Sequence, residues 1–223
     1  MKRNPLATIA MAGLFAASVA QGATVKNLST GVYDLTGLQL PDGASDTDFM
    51  VAAGSSGFVG AVPITRSLSL PPTYVQDDAS TASRWIGINS GVGIQGMTVG
   101  QGNYTFSTTV DLTGYVPATA VIANSRYAAD DVLISLQING TTVFSQPPRD
   151  DNGDLTAFHP LGASIGAGLF HSGANAISFT MYNLNGPMTL RFEGTVTATA
   201  VPEPGSLSML VMAAGLLLQR KRS

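Results

Sequence analysis

Residues 132–144 read VLISLQINGTTVF, and this stretch decides the fold. Val132, Ile134, Leu136 and Ile138 recur at every second position, the period that places alternate side chains on opposite faces of a strand. Asn139-Gly140 then interrupts the run before the β-rich residues 141–144. A two-residue type I′ turn needs positive φ at both central positions, which Asn-Gly adopts readily, so the spacing predicts an antiparallel hairpin. Upstream, residues 103–112 form the clearest amphipathic strand, with Tyr104, Phe106, Thr108, Val110 and Leu112 on one parity. Residues 118–127 read as another strand, and residues 176–182 and 189–197 close the sheet. Toward the N-terminus, residues 24–40 read as an extended segment broken by glycine turns, 49–53 as a short strand, and 58–70 as extended with a break at Pro63. The Gly-rich residues 89–102 are expected to form an exposed loop. No long 3.6-residue period occurs between residues 24 and 200, and no internal repeat is evident. The fold class is therefore all-β, one domain over residues 24–197.

Composition narrows the function. Residues 23–200 carry 6 basic and 13 acidic side chains, a net charge of −7, with Lys26 as the sole lysine. An acidic chain without a basic stripe argues against nucleic acid as a partner. Cysteine is absent, which removes thiol chemistry and disulfide staples and leaves stability to the core.

Both ends differ from this middle. Residues 1–23 have a basic start at Lys2 and Arg3, an apolar run over 6–17, and small residues at 18–20 and 20–22, either of which suits signal peptidase. This reads as a signal peptide for the Sec translocon. At the other end, residues 198–201 are expected to be a linker into residues 202–223, PEPGSLSMLVMAAGLLLQRKRS. Pro202 and Pro204 fix φ and each lacks an N–H, so Pro202-Glu203-Pro204 is a stiff handle outside any helix. The apolar run 207–218 has 12 residues, short of the ~20 that span a hydrocarbon core. With flanking side chains snorkelling it would cross a thin bilayer, with Arg220, Lys221 and Arg222 left on the cytoplasmic side. A plain membrane anchor fits the run equally well.

The order of stiff PEP, short apolar helix and basic terminus resembles the PEP-CTERM sorting signal of Gram-negative bacteria. That resemblance implies an inner-membrane intermediate, an exosortase-type transpeptidase acting near the PEP, and a final place at the cell surface or in the extracellular matrix. The middle is similar to the galactose-binding-like jelly-roll sandwiches. Residues 133–140 match that superfamily's strand ending in Asn-Gly, residues 170–179 its Gly-x-Asn turn before an apolar strand, and residues 188–194 its last strand. This likeness implies a β-sandwich flanked by a signal helix and a short membrane helix. It also implies polysaccharide as the partner, although fold alone does not assign function.

No catalytic constellation is present. His159 and His171 lie in no metalloprotease or triad pattern, and the acids are scattered over loops, whereas a glycosidase needs two converging carboxylates. A non-enzymatic role is expected. For carbohydrate, the candidate contacts are Trp85, Arg126, Tyr127, Asp130 and Arg191, with Arg84 and Tyr104 considered beside them. Trp85 and Tyr104 sit in strand-like segments, which favours a core over a ligand surface, and Arg126 suits pairing with Asp130 or Asp131. For a structural calcium ion, Asp150, Asn152 and Asp154 offer hard oxygens, as does the run Asp42–Asp48, though neither fits EF-hand spacing. A structural or adhesive envelope protein making protein contacts is the alternative to a polysaccharide binder.

Overall fold

The computed structural model describes residues 22–34, 36–54, 59–60, 63–66, 73–76, 82–88, 98–149 and 153–202. The expected signal helix, Glu203, Pro204, the apolar run, Arg220, Lys221, Arg222, Asp150 and Asn152 fall outside these residues. Among the described residues the strands are β1 (Ala23–Asn27), β2 (Met50–Ala53), β3 (Ile64–Arg66), β4 (Trp85–Gly87), β5 (Thr98–Val99), β6 (Gly102–Asp111) and β7 (Tyr115–Asp130). They continue with β8 (Val132–Ile138), β9 (Thr141–Ser145), β10 (His159–Ile165), β11 (Ala174–Asn183), β12 (Gly186–Pro187) and β13 (Thr189–Ala200). A 3₁₀ turn spans Gly153–Leu155, and no described residue lies in an α-helix. No helix there is long and apolar enough to cross a membrane.

Among the described residues two large antiparallel sheets form, beside a two-stranded pair of β5 and β12. One runs β10-β7-β13-β4-β3 with β1 also on β13; the other runs β2-β6-β11-β8-β9. Their inner faces share one core, to which Tyr104, Phe106, Leu136, Ile177 and Phe179 come from one sheet and Ile122, Ala129, Leu190, Phe192 and Val196 from the other. Phe179 and Phe192 meet edge to face at 4.7 Å across the gap, a geometry worth about 0.5–1.5 kcal/mol beyond the area it buries. The architecture is a β-sandwich.

The hairpin of residues 132–145 forms as its sequence dictates, with φ of 49° at Asn139 and 79° at Gly140. Its turn is also locked from outside. Asn139 Nδ2 donates to Asn175 Oδ1 at 2.8 Å and to the Leu169 carbonyl at 2.9 Å, while Asn139 Oδ1 accepts the Ala176 N–H. Buried Asn175 in turn donates to the carbonyls of His171 and Gly173. The two turn motifs quoted above thus clasp each other at one end of the second sheet.

Several expectations need correction. Residues 198–201 are not a free linker: β13 continues through Ala200, with Ala198 opposite Ala23 and Thr199 opposite Val116. Small Thr and Ala side chains pack flat between two neighbouring strands, and Ala198 is buried. Ala23, placed in the signal segment, opens β1. In residues 24–40 the glycine turns take more of the stretch than the extended reading gave them: β1 ends at Asn27, and Val32 bridges Gln39 with Tyr33 N bonding Leu38 O at 2.9 Å. Within 89–102, β5 pairs with β12 and Val99 is buried against the core. Strand β10 has no counterpart in the sequence reading. Pro160 and Gly162 break its alternation, and the register shifts between them.

Candidate functional site

Four of the five residues proposed as carbohydrate contacts do converge, three of them buried beneath a cover and Arg126 half-buried at its edge. Trp85, Arg126, Asp130 and Arg191 stand on the outer face of the six-stranded sheet. There Trp85 and Ala128 form a small second core with Tyr74 and Leu155, flanked by Val75 and Phe158. Trp85 and Arg191 have no exposed surface. Arg191 donates from Nε to Ser83 Oγ at 2.9 Å, from Nη1 to the Val75 carbonyl at 3.0 Å and from Nη2 to the Ser83 carbonyl at 2.7 Å. Trp85 Nε1 donates to the same Val75 carbonyl at 2.9 Å, and its ring meets Tyr74 at 5.3 Å. Arg126 pairs with Glu193 across the β7–β13 ladder at 2.5 Å, not with Asp130 or Asp131, and stacks its guanidinium 4.1 Å over Phe158. Glu193 also accepts from Ser83 Oγ at 2.9 Å and from the Ala82 N–H at 3.1 Å. These side chains hold two loop segments onto the sheet, and of the four candidates only Arg126 keeps a large part of its side chain exposed. Tyr104, likewise core, is fully buried.

Tyr127, the fifth candidate, points into the sandwich against Phe144 at 5.5 Å. Its hydroxyl faces Asp154 Oδ2 at 3.3 Å and accepts from Gln146 Nε2 at 3.0 Å. Burial, with the Asp154 charge beside it, pushes the phenol up to about 12. Asp154 is fully buried, ion-paired with Arg149 and within 3.5 Å of His159 Nε2. A carboxylate already neutralised by a guanidinium is a poor cation ligand, so calcium does not fit at Asp154. In the other acidic loop, Asp46 is buried too. Its carboxylate accepts the N–H groups of Gly31 at 2.7 Å and Asp48 at 3.2 Å. Burial raises it to about 6 against those two bonds.

That same Asp46 braces a cleft of which the sequence had marked only the acidic run Asp42–Asp48. The cleft, about 760 Å³ in volume, opens between the 32–40 turn and the 44–48 loop, lined by Val32, Tyr33, Asp34, Leu38, Thr47 and Asp48 among others. Tyr33 is 52% and Leu38 65% exposed, and both line this cleft. The backbone around them is held firmly. Gly31 takes φ of 66°, and a Cβ there would lie 2.6 Å from Arg84 Cβ. Thr65 Oγ1 donates to the Pro41 carbonyl at 2.5 Å, and Lys26 meets Asp48 at 3.4 Å on the cleft's far wall. A rigid aromatic and an aliphatic side chain presented beside carboxylates and hydroxyls form a surface that can stack on an apolar face and hydrogen-bond around it.

Comparison with known proteins adds no identity. No family model, curated protein or solved structure matches the chain.

Asp130 and Asp131 define a second concavity of about 350 Å³ on the outer face, together with Tyr74, Thr73, Thr156 and Asn185. Both carboxyls are buried, Tyr74 donates its hydroxyl to Asp130, and Leu184 N–H donates to Asp131 Oδ2 at 2.5 Å. Burial, and then the Asp131 charge, push Asp130 upward despite the Tyr74 bond. The two carboxyls stand on adjacent residues and each is held by a donor of the protein itself, unlike a pair that faces across a cleft to flank a glycosidic bond.

Proposed function

We propose that this chain is an exported, non-enzymatic surface or matrix protein of a Gram-negative bacterium, whose jelly-roll domain binds or organises polysaccharide through the 32–48 cleft. The observation that carries the reading is Tyr33 and Leu38 standing exposed in a braced cleft ringed by Asp34, Thr36, Ser45, Thr47 and Asp48. Sugars present flat C–H faces bordered by hydroxyls, which suits an aromatic surface next to planar and hydroxylic acceptors. The sorting reading draws support from the way the chain leaves the domain: Val201 N–H bonds the Gly114 carbonyl, and Pro202 follows exposed and outside any strand. A transpeptidase would find the handle there. Ala23 and Ala198 are paired, so both membrane-directed ends leave the sandwich side by side.

Two measurements test this. Intact mass and location of the chain in a Gram-negative host, with and without an exosortase, should show loss of the tail beyond the PEP only when the enzyme is present. A full tail in both hosts would reduce it to a plain anchor. Retention of the protein on immobilised neutral and acidic polysaccharides should be measurable, and absence of retention on all of them would remove the binding reading. The adhesive alternative has its own observation, since Met50 on edge strand β2 is also exposed, as is Val59, whose neighbour Gly60 bonds the Val51 carbonyl. Concentration-dependent self-association without glycan retention would favour it.

A further inference from the structure

Strand β6 is covered unevenly by its two neighbours. β11 pairs with it as far as Asp111, whereas the β2 ladder ends where Met50 faces Ser107. The chain before Met50 turns away, since Phe49 N–H bonds the Asp46 carbonyl and Asp46 N–H bonds the Pro63 carbonyl. A pocket of about 300 Å³ lies beside this point, lined by Thr47, Asp48, Met50, Ser107, Thr108 and Thr109, with Lys26 on its rim. Thr108 is 5% exposed, and its hydroxyl has no hydrogen-bond partner. A buried hydroxyl left unpaired costs stability, and one that lines a pocket is satisfied by whatever fills the pocket. A second feature ties this pocket to the 32–48 cleft: Thr47 and Asp48 line both. The two cavities therefore stand side by side, with Tyr33 and Leu38 in one and Thr108 in the other.

Resting on the polysaccharide reading, we infer that this pocket is a second sugar subsite, so that the chain binds a neutral polysaccharide across at least two successive units rather than by one terminal sugar. The Lys26 ammonium and the Asp48 carboxylate, 3.4 Å apart, set a donor beside an acceptor, which matches neighbouring hydroxyls on a pyranose ring. Their charges balance, and Asp34 in the adjoining cleft is acidic, so a uronate or sulfated unit gains nothing from Lys26 and is repelled by Asp34. Ser107, Thr108 and Thr109 add hydroxyls that both donate and accept, and exposed Met50 supplies an apolar lip for a C–H face.

The test measures retention of the purified full-length chain on immobilised neutral glucan, mannan and galactan and on alginate, a polymer of uronates. Free oligosaccharides of the retaining polymer serve as competitors. Retention on a neutral polymer above that on alginate is expected, and a tetrasaccharide should compete at least about tenfold better than its monosaccharide, because only the longer chain fills both cavities. Thr108→Val removes the hydroxyl from a side chain of the same shape and should weaken retention about threefold to tenfold. That hydroxyl is unpaired in the free protein, so Tm should hold or rise. Should Thr108→Val fail to fold, Ser107→Ala on the same pocket wall should still weaken retention severalfold. Tyr33→Ala, in the neighbouring cleft, reports on the polysaccharide reading by itself. Retention that Tyr33→Ala weakens but Thr108→Val and Ser107→Ala leave unchanged, with monosaccharide competing as well as tetrasaccharide, overturns the second subsite and leaves the cleft standing. Stronger retention on alginate than on every neutral polymer overturns the ligand class. No retention on any of them removes the polysaccharide reading and the subsite with it.

Discussion

Replacing Arg191 with methionine asks whether the outer-face network is scaffold or ligand site. Methionine approximates the arginine stem and supplies no donor. The three bonds from Arg191 at 2.7–3.0 Å would be lost. The Val75 carbonyl keeps Trp85 Nε1, whereas the Ser83 carbonyl retains a long 3.4 Å contact from Gln39. A hydrogen bond to a charged group contributes about 1.5–3 kcal/mol, and stranding a buried acceptor adds to the loss. Against this, methionine avoids the desolvation of a buried guanidinium, so the three bonds do not sum. The expected loss is about 2–4 kcal/mol. For a domain of this size that is a fall in Tm of roughly 5–15 °C, read by circular dichroism, with an unchanged urea m-value. Arg191→Lys, which keeps charge but not the planar fork, should lie between. A methionine variant within about 2 °C of the parent that instead loses glycan retention would refute the scaffold argument and restore Arg191 as a ligand contact.

Tyr33→Ala should behave in the opposite way. About half of a side chain that can bury some 200 Å² is exposed, and covering one face of it is worth about 1 kcal/mol, so retention should fall roughly fivefold to tenfold while Tm hardly moves. Gly140→Ala meets open space at φ of 79° and should cost about 1 kcal/mol in urea unfolding, whereas Gly31→Ala must also push Arg84 aside and should cost clearly more. Asp46 holds its proton more tightly folded than unfolded, to about 6 against 3.8. Folded protein therefore binds more protons between those values, and the Asp46 contribution to stability falls as pH rises through them, by up to about 3 kcal/mol. The parent-minus-Asp46→Asn difference in urea stability should decline across that window; a rise would refute the sign.

Strands whose alternation is uninterrupted were legible residue by residue, and β8 begins and ends where its pattern does. β10 was not, because Pro160 and Gly162 interrupt the alternation that identifies a strand, and an outer strand needs less of it. The end of β13 was misread because Thr and Ala are as common in linkers as in strands. What settles them here is a neighbour on each side, β1 and β7, and pairing over such separations leaves no local mark. The clasp between Asn139 and Asn175 shows the same limit: each turn was visible, their contact was not.

The candidate site was misplaced for a related reason, and the reason bears on how such domains are built. Chemistry-bearing residue types draw attention in sequence, yet this domain has few charges and no cysteine. With so few strong polar groups, arginine and glutamate are what can pin irregular loops over an apolar sheet face. Arg191 and Glu193 are therefore buried in that task and Arg126 is half-buried, alternating along β7 and β13 with the core residues Tyr127 and Phe192. The exposed aromatic that best fits ligand contact sits instead in a short turn of ordinary composition. Tyr33 stays outside because Gly31 and Asp46 fix a backbone that turns it away from the core, and that constraint comes from Arg84 and from the 63–65 segment, far along the chain. In a disulfide-free sandwich, the residues free for binding are those the scaffold does not need, and which those are emerges only once the loops are in place.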